Sequence, residues 1–173
     1  MSTAASPCRR VSSTSPRPGS SSPETLLEVA PGGGAWERYL ELRWAVLRAP
    51  WGRPRGSERD AEDARAVHLM IAAADGTALA VGRLHRLDET TGQVRYMAVA
   101  PHARGRGLGR RMLAALEDRA RALGLRRIVL DAREAAAGFY LRHGYRVLGE
   151  GHVLFGTIRH LRMEKALAPE ARP

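Results

Sequence analysis

Hydrophobic and polar positions along the chain sort into a run of short elements. From Ala35 to Arg48, Trp36, Tyr39, Leu40, Trp44 and Leu47 fall on neighbouring faces at helical spacing, and Pro50 stops that helix. A first strand is expected over Leu26–Val29, and a short second helix around Glu58 to Asp63 within the polar, Gly/Pro-punctuated stretch from Trp51 to Arg65. Two strands, His68–Ala74 and Ala78–Leu87, flank Asp75-Gly76, a strong hairpin-turn signal. After a turn at Thr90-Thr91-Gly92 comes a long strand, Gln93–Val99. The helix Leu108–Leu123 places Leu108, Met112, Leu116, Ala120 and Leu123 on one stripe with arginines opposite, and Gly124 closes it. Arg126–Ala132 reads as a buried strand of aliphatic residues, and Glu134–His143 as a helix ended by Gly144. Two closing strands, Tyr145–Glu150 and Val153–Glu164, complete the order. The succession is that of an α/β sandwich of the α+β type, without a sustained βαβ repeat.

Between the strand at 93–99 and the helix at 108–123 stands a loop dense in glycine and arginine, Arg104-Gly105-Arg106-Gly107-Leu108-Gly109. First-turn N–H groups have no partner within their helix, and the helix dipole concentrates positive charge there. Glycines let backbone approach phosphate oxygens closely, and arginines, Arg110 included, add forked donors. The loop therefore reads as a site for a phosphate-bearing cofactor. It is neither a dinucleotide fingerprint, since the glycines at 105, 107 and 109 alternate, nor a P-loop, since the only lysine is Lys165. An ordinary glycine-rich turn capping a surface helix would share its composition.

With Arg104 counted, the pattern Arg-x-x-Gly-x-Gly, after Met97-Ala98-Val99 and Pro101, resembles the acyl-CoA-binding motif of the GNAT superfamily of acyl-CoA-dependent N-acyltransferases. A second match lies downstream, where Phe139-Tyr140 precedes Gly144-Tyr145. The ending His160-Leu161-Arg162-Met163 resembles a closing strand of one GNAT subgroup, although Arg159 stands where a proline is common. The resemblance runs from about Ala35 to Lys165. It implies a mixed, mostly antiparallel central sheet with helices on both faces. It also implies acetyl-CoA as co-substrate, with no metal, and an N-acetyltransferase acting on a primary amine by direct attack in a ternary complex.

The implied cofactor-binding residues are Met97, Ala98 and Val99, whose backbone takes the pantetheine arm like an added strand, and Arg104, Gly105, Arg106, Gly107, Leu108, Gly109 and Arg110 for the phosphates. Tyr140 is the implied catalytic residue, a general acid near the cofactor sulfur. On the residues alone it reads equally as a packing aromatic. Arg133 stands where many relatives carry an asparagine that contacts the pantetheine arm. No base is assigned: the Gln93–Val99 strand holds no carboxylate, and Asp131 and His152 are candidates with plain alternatives as a strand-end carboxylate and a turn histidine.

Composition narrows the picture further. The chain has 173 residues, a formal net charge of +10 and aromatics at only 5%. That charge raises a basic nucleic-acid-binding protein as an alternative, and a catalytically silent acyl-CoA-binding module is another. Against the first, the arginines are spread over nearly every element and no aromatics interleave with them to stack bases. Cys8 is the sole cysteine and lies in a Ser/Pro-rich tail, so neither an intrachain disulfide nor an acyl-cysteine route is expected. The six histidines are scattered without metal-ligand spacing.

Met1 to Pro23 is expected to be a disordered tail without a secretory h-region, 24–167 a single catalytic domain, and 168–173 a C-terminal tail. No membrane partner is expected, so the reading is cytoplasmic. The acceptor, a small-molecule or protein amine, is open. Trp51 is the best candidate for an aromatic facing it. A homodimer is compatible with the resemblance.

Overall fold

The structure, a computed structural model, describes residues 24–168. The expected tails and Cys8 lie outside those residues, apart from Ala168. Seven strands form one sheet in the order β1-β2-β3-β4-β5-β7-β6. They are β1 (Thr25–Glu28), β2 (Val67–Ala72), β3 (Ala78–Arg86), β4 (Thr91–Val99), β5 (Arg127–Arg133), β6 (Arg146–Leu154) and β7 (Ile158–Ala166). Only the β4–β5 pair is parallel; its neighbours are antiparallel. The helices are α1 (Trp36–Leu47), α2 (Leu108–Ala122) and α3 (Ala137–Arg142). This is the mixed, mostly antiparallel sheet anticipated from the motifs.

Alternation along β3 places the two long helices on opposite faces. A Cβ on Gly82 would come within 2.8 Å of Leu116 and 3.2 Å of Met112, both on α2. The next residue, Arg83, points the other way and meets Asp63, which also pairs with Arg43 of α1. Glycine at 82 thus lets α2 approach the sheet to backbone distance. The stripe expected on α2 is its buried face: Leu108, Met112, Leu116 and Ala120 are within 2% of full burial. Leu123 departs from it and is exposed, because the helix has ended at Ala122.

Three expectations need correction. The second helix around Glu58–Asp63 is a 3₁₀ turn at Ala61–Arg65, capped by Asp60, whose side chain accepts from the Glu62 N–H. The turn at Thr90-Thr91-Gly92 sits earlier: the Asp88 carboxylate accepts from the N–H groups of Thr90 and Thr91, so β4 already begins at Thr91. The closing hairpin turns at Phe155-Gly156-Thr157, where Phe155 and Gly156 adopt positive φ, rather than at Gly151-His152. His152 is accordingly a strand residue. No helix among the described residues is long and apolar enough to cross a membrane.

Candidate active site

The site originates in a defect of the sheet. β4 and β5 pair only through Thr91↔Arg127, Gly92↔Ile128 and Gln93↔Val129, then part. On its other side β4 carries a bulge: Val81 faces Ala98 while Arg83 faces Arg95, so β4 spends one residue more than β3. Tyr96 absorbs that residue at φ 55°, a conformation few non-glycine residues adopt. The bulge turns the strand away from β5 and leaves a wedge of about 270 Å³ between Val94–Val99 and Leu130–Arg133.

One end of the wedge opens toward the loop at 104–109. Gly105 and Gly107 both stand at φ 76°, and a Cβ on either would meet nothing within 4 Å, so their requirement is conformational. Gly109 has ordinary φ, and a Cβ on it would make an ordinary contact with the Phe139 ring at 3.6 Å. Gly107 is the N-cap of α2 and no side chain caps it. The first-turn N–H groups of Leu108, Gly109 and Arg110 therefore have no intrahelical acceptor. Leu108 itself is a core side chain, and only its backbone is available. Arg104 lines the wedge and Arg110 is exposed, whereas Arg106 is tied to Glu24.

Across the gap, Tyr140 of α3 donates its hydroxyl proton to the Met97 Sδ at 3.7 Å, so these two residues from the separate motifs meet. Burial pushes the Tyr140 phenol up to about 12, which keeps it protonated at neutral pH. Phe139 packs edge-on against it with ring centroids 5.0 Å apart. Ala98 is buried, while Met97 and Val99 are half-buried along the β4 wall.

The opposite end adds Arg48, Arg95 and Leu154, which motif reading passed over, to residues that the motifs or the search for a base had already named. Arg48, Arg95, Leu154 and His160 line it, with Asp131, Arg133 and His152. His152 and His160 stack at 4.4 Å, and His152 Nδ1 lies 4.0 Å from the Asp131 carboxylate. Asp131 is already engaged by Arg162 at 2.9 Å. His160 Nδ1 lies 3.0 Å from the Ile158 carbonyl oxygen and 3.2 Å from that of His152, so it carries the proton and Nε2 keeps its lone pair. Burial, then the neighbouring His152, lowers the pKa of His160 and keeps it neutral. In the sequence each histidine stands out separately, His152 as a candidate base and His160 in the closing-strand motif; their stacking follows from the turn at Phe155-Gly156-Thr157, which pairs β6 with β7.

Behind the bulge lies a buried ionic network. Asp63 accepts from Arg43 at 3.0 Å and from Arg83 at 2.6 Å, and both arginine side chains are fully buried. Asp60 accepts from Arg83 and, at 2.9 Å, from the Tyr96 hydroxyl, while the Arg43 guanidinium stacks 3.5 Å over the Tyr96 ring. Burial alone would raise the Asp60 carboxyl, but hydrogen bonds from Arg83 and Tyr96 outweigh it and hold the group far below the usual range. The network clamps the strained residue that opens the wedge. Among the described residues, no group of three or more potential metal ligands exists.

A family model described as Acetyltransferase (GNAT) family matches residues 36–145, well over half of the chain. The chain belongs to this family. The uncharacterized N-acetyltransferase YjcF of Bacillus subtilis (strain 168) is 31% identical over 112 residues, 65% of this chain and 79% of YjcF. An acyl-CoA N-acyltransferase from Pseudomonas aeruginosa superimposes with a TM-score of 0.71 at 26% identity, over 83% of this chain and 99% of its own. An aminoglycoside 6'-N-acetyltransferase complexed with coenzyme A shares the fold, with a TM-score of 0.69 at 16% identity over 86% of this chain and 99% of that one. This GNAT protein is an acyl-CoA-dependent N-acetyltransferase.

Proposed function

We propose that the enzyme moves an acetyl group from acetyl-CoA to a primary amine by direct attack, with both substrates held in the wedge at once. The observation that carries this reading is the parting of β4 from β5, with an uncapped, glycine-approached helix N-terminus at one end and Tyr140 across the gap. That cradle, free of Cβ atoms at 105 and 107, fits a pyrophosphate. The N–H groups following Gly107 hold it, and Arg104 and Arg110 add charge. Arg106 joins them by exchanging its partner Glu24. The β4 edge at Met97, Ala98 and Val99, without a β5 partner, hydrogen-bonds the pantetheine arm.

When bound, acetyl-CoA supplies an acyl carbon activated as a thioester. The N–C bond forms as the C–S bond breaks. A β4 N–H stabilises the charge gathering on the acyl oxygen, a contribution of ~10²–10³ in rate for one such donor. Tyr140 directs its hydroxyl at the departing sulfur. Its pKa of about 12 lies above the ~8.5 of an ordinary thiol, so it acts chiefly through that hydrogen bond. The amine's proton passes toward the imidazole pair, where His160 Nε2 holds a free lone pair. An alkyl amine with a pKa of ~10 has to shed a proton before or during attack, and a neutral imidazole accepts it.

Calorimetry with acetyl-CoA, followed by a thiol-release screen over an amine panel, tests this reading. Uptake of acetyl-CoA and amine-dependent thiol release are expected; absence of uptake overturns it. The acid limb of kcat/KM should lie below the ordinary histidine value of ~6.5, since His160 is held neutral.

A further inference from the structure

At the end of the wedge where Arg48 and Arg133 stand, no carboxylate of a described residue hydrogen-bonds either guanidinium, and Asp131, the carboxylate in the lining, is engaged by Arg162. Arg48 is 8% exposed, yet its hydrogen bonds go to backbone carbonyls: Nε to Ser57 and Nη1 to Leu47, both at 2.9 Å. Glu58 is the carboxylate whose charge it senses, but the Glu58 Oε2 is occupied by the Gly56 N–H at 2.7 Å. Arg133 is half-buried and its side chain makes no hydrogen bond or ion pair with a described residue; its guanidinium lies 4.3 Å over the Trp51 ring. Elsewhere the chain treats buried arginine differently. Arg43 and Arg83 each bind Asp63 directly.

Electrostatics sharpen the contrast. Burial lowers the Arg133 pKa, and the nearby Arg48 charge lowers it further. Arg48 is likewise depressed by burial and by Arg43 and Arg95, with Tyr96 and Glu58 acting against them. Arg95 adds a third charge, 3.6 Å from an Asp60 carboxylate that Arg83 and Tyr96 already engage. Phe155 closes the group, 5.6 Å from the Arg48 guanidinium and 6.4 Å from the Trp51 ring. Repelling cations held in a partly dry, aromatic-walled pocket are costly unless an anion arrives to pair with them.

We propose that this end of the wedge recognises a carboxylate carried by the acceptor amine, with Arg133 and Arg48 as its specificity-determining contacts. The substrate class is then a small amino acid or other amine bearing a carboxylate, and polyamines are excluded by like charge. This inference rests on the acyltransferase reading above. Guanidinium is suited to the role because its planar fork matches carboxylate geometry and it stays charged at neutral pH. A phosphate of coenzyme A is the other anion that could reach these arginines, and the test separates the two sources.

Matched acceptors decide it: a panel of amino acids, their carboxamides and the amines left by decarboxylation, assayed by thiol release with the full chain. For at least one set the carboxylate-bearing member should exceed its amide in kcat/KM by ~10- to 100-fold, the usual reach of a charge-assisted hydrogen bond. Arg133→Gln should collapse that preference through KM, and Arg133→Lys should restore part of it. Amides or plain amines equalling the acids overturn the proposal, as does a panel in which no acid reacts although acetyl-CoA still binds. If Arg133→Gln instead weakens acetyl-CoA uptake and leaves the acid-to-amide ratio intact, the arginine serves the cofactor and the proposal fails. Failure of the wild-type chain to take up acetyl-CoA at all is a different result, which removes the acyltransferase reading itself.

Discussion

The two ends of the wedge are built on different physical principles. The end proposed for the phosphates is local: Gly105 and Gly107 stand two residues apart, and what they require follows from their positive φ. The end proposed for the acceptor is assembled from α1, the 48–65 segment, β4, β5 and the β6–β7 hairpin, and its side chains include arginine, histidine and aromatics. Backbone chemistry needs a few glycines in register. Charge chemistry needs partners from distant parts of the chain, and it becomes costly wherever a partner is missing. The comparison teaches that one half of the wedge is held by short-range conformation and the other by long-range electrostatics.

The sharpest way to break the comparison is to remove a carboxylate from the second half. Asp63→Ala leaves the fully buried Arg43 and Arg83 side chains short of their shared partner. Such a loss should lower the unfolding free energy by about 3–5 kcal/mol, read from denaturant midpoints. A change below about 1 kcal/mol would mean that the network does not hold the bulge.

Tyr140→Phe comes next. It should cut kcat by ~10- to 100-fold, the reach of one hydrogen bond to a sulfur gathering charge, while calorimetric acetyl-CoA affinity stays near wild type. An unchanged rate reduces Tyr140 to a packing aromatic, and the cofactor end to a binding cradle.

Arg104→Ala at the phosphate end should weaken acetyl-CoA about tenfold, with increasing salt erasing the difference. Equal loss in the acceptor KM would blur the division between the two ends.

The smallest effect is a pH slope. His68, His85 and His160 all have pKa values lowered, primarily by burial. The unfolded chain then binds more protons, so stability is full above ~6.5 and declines as pH falls through that value. Melting temperature should drop between pH 7 and 5, and His68→Gln should flatten the slope.

Much of the fold was legible because it is written in period and punctuation. The α2 stripe, the Asp75-Gly76 hairpin and the positive-φ glycines 124 and 144 that follow α2 and α3 come from side-chain spacing and allowed φ. The Arg104–Gly109 loop was legible for the same reason. Misread were the places where local signals compete. Gly151-His152 looks like a turn but continues β6, because pairing with β7 overrides it until Phe155. Glu58–Asp63 looks helical, but Asp60 and Asp63 are drawn inward to arginines of α1 and β3.

By itself, then, the order of residues determined most of the elements, the position of the glycine–arginine loop and membership of a family, since each depends on neighbours within about one turn or strand. Only the folded chain decided that Tyr140 meets Met97 and that Tyr96 carries the bulge. The same holds for the pairing of Arg43 and Arg83 with Asp63 while Arg48 and Arg133 face the wedge without a carboxylate. The reason is physical: whether a charge is balanced depends on residues dozens of positions away, and no local pattern records which of them arrive.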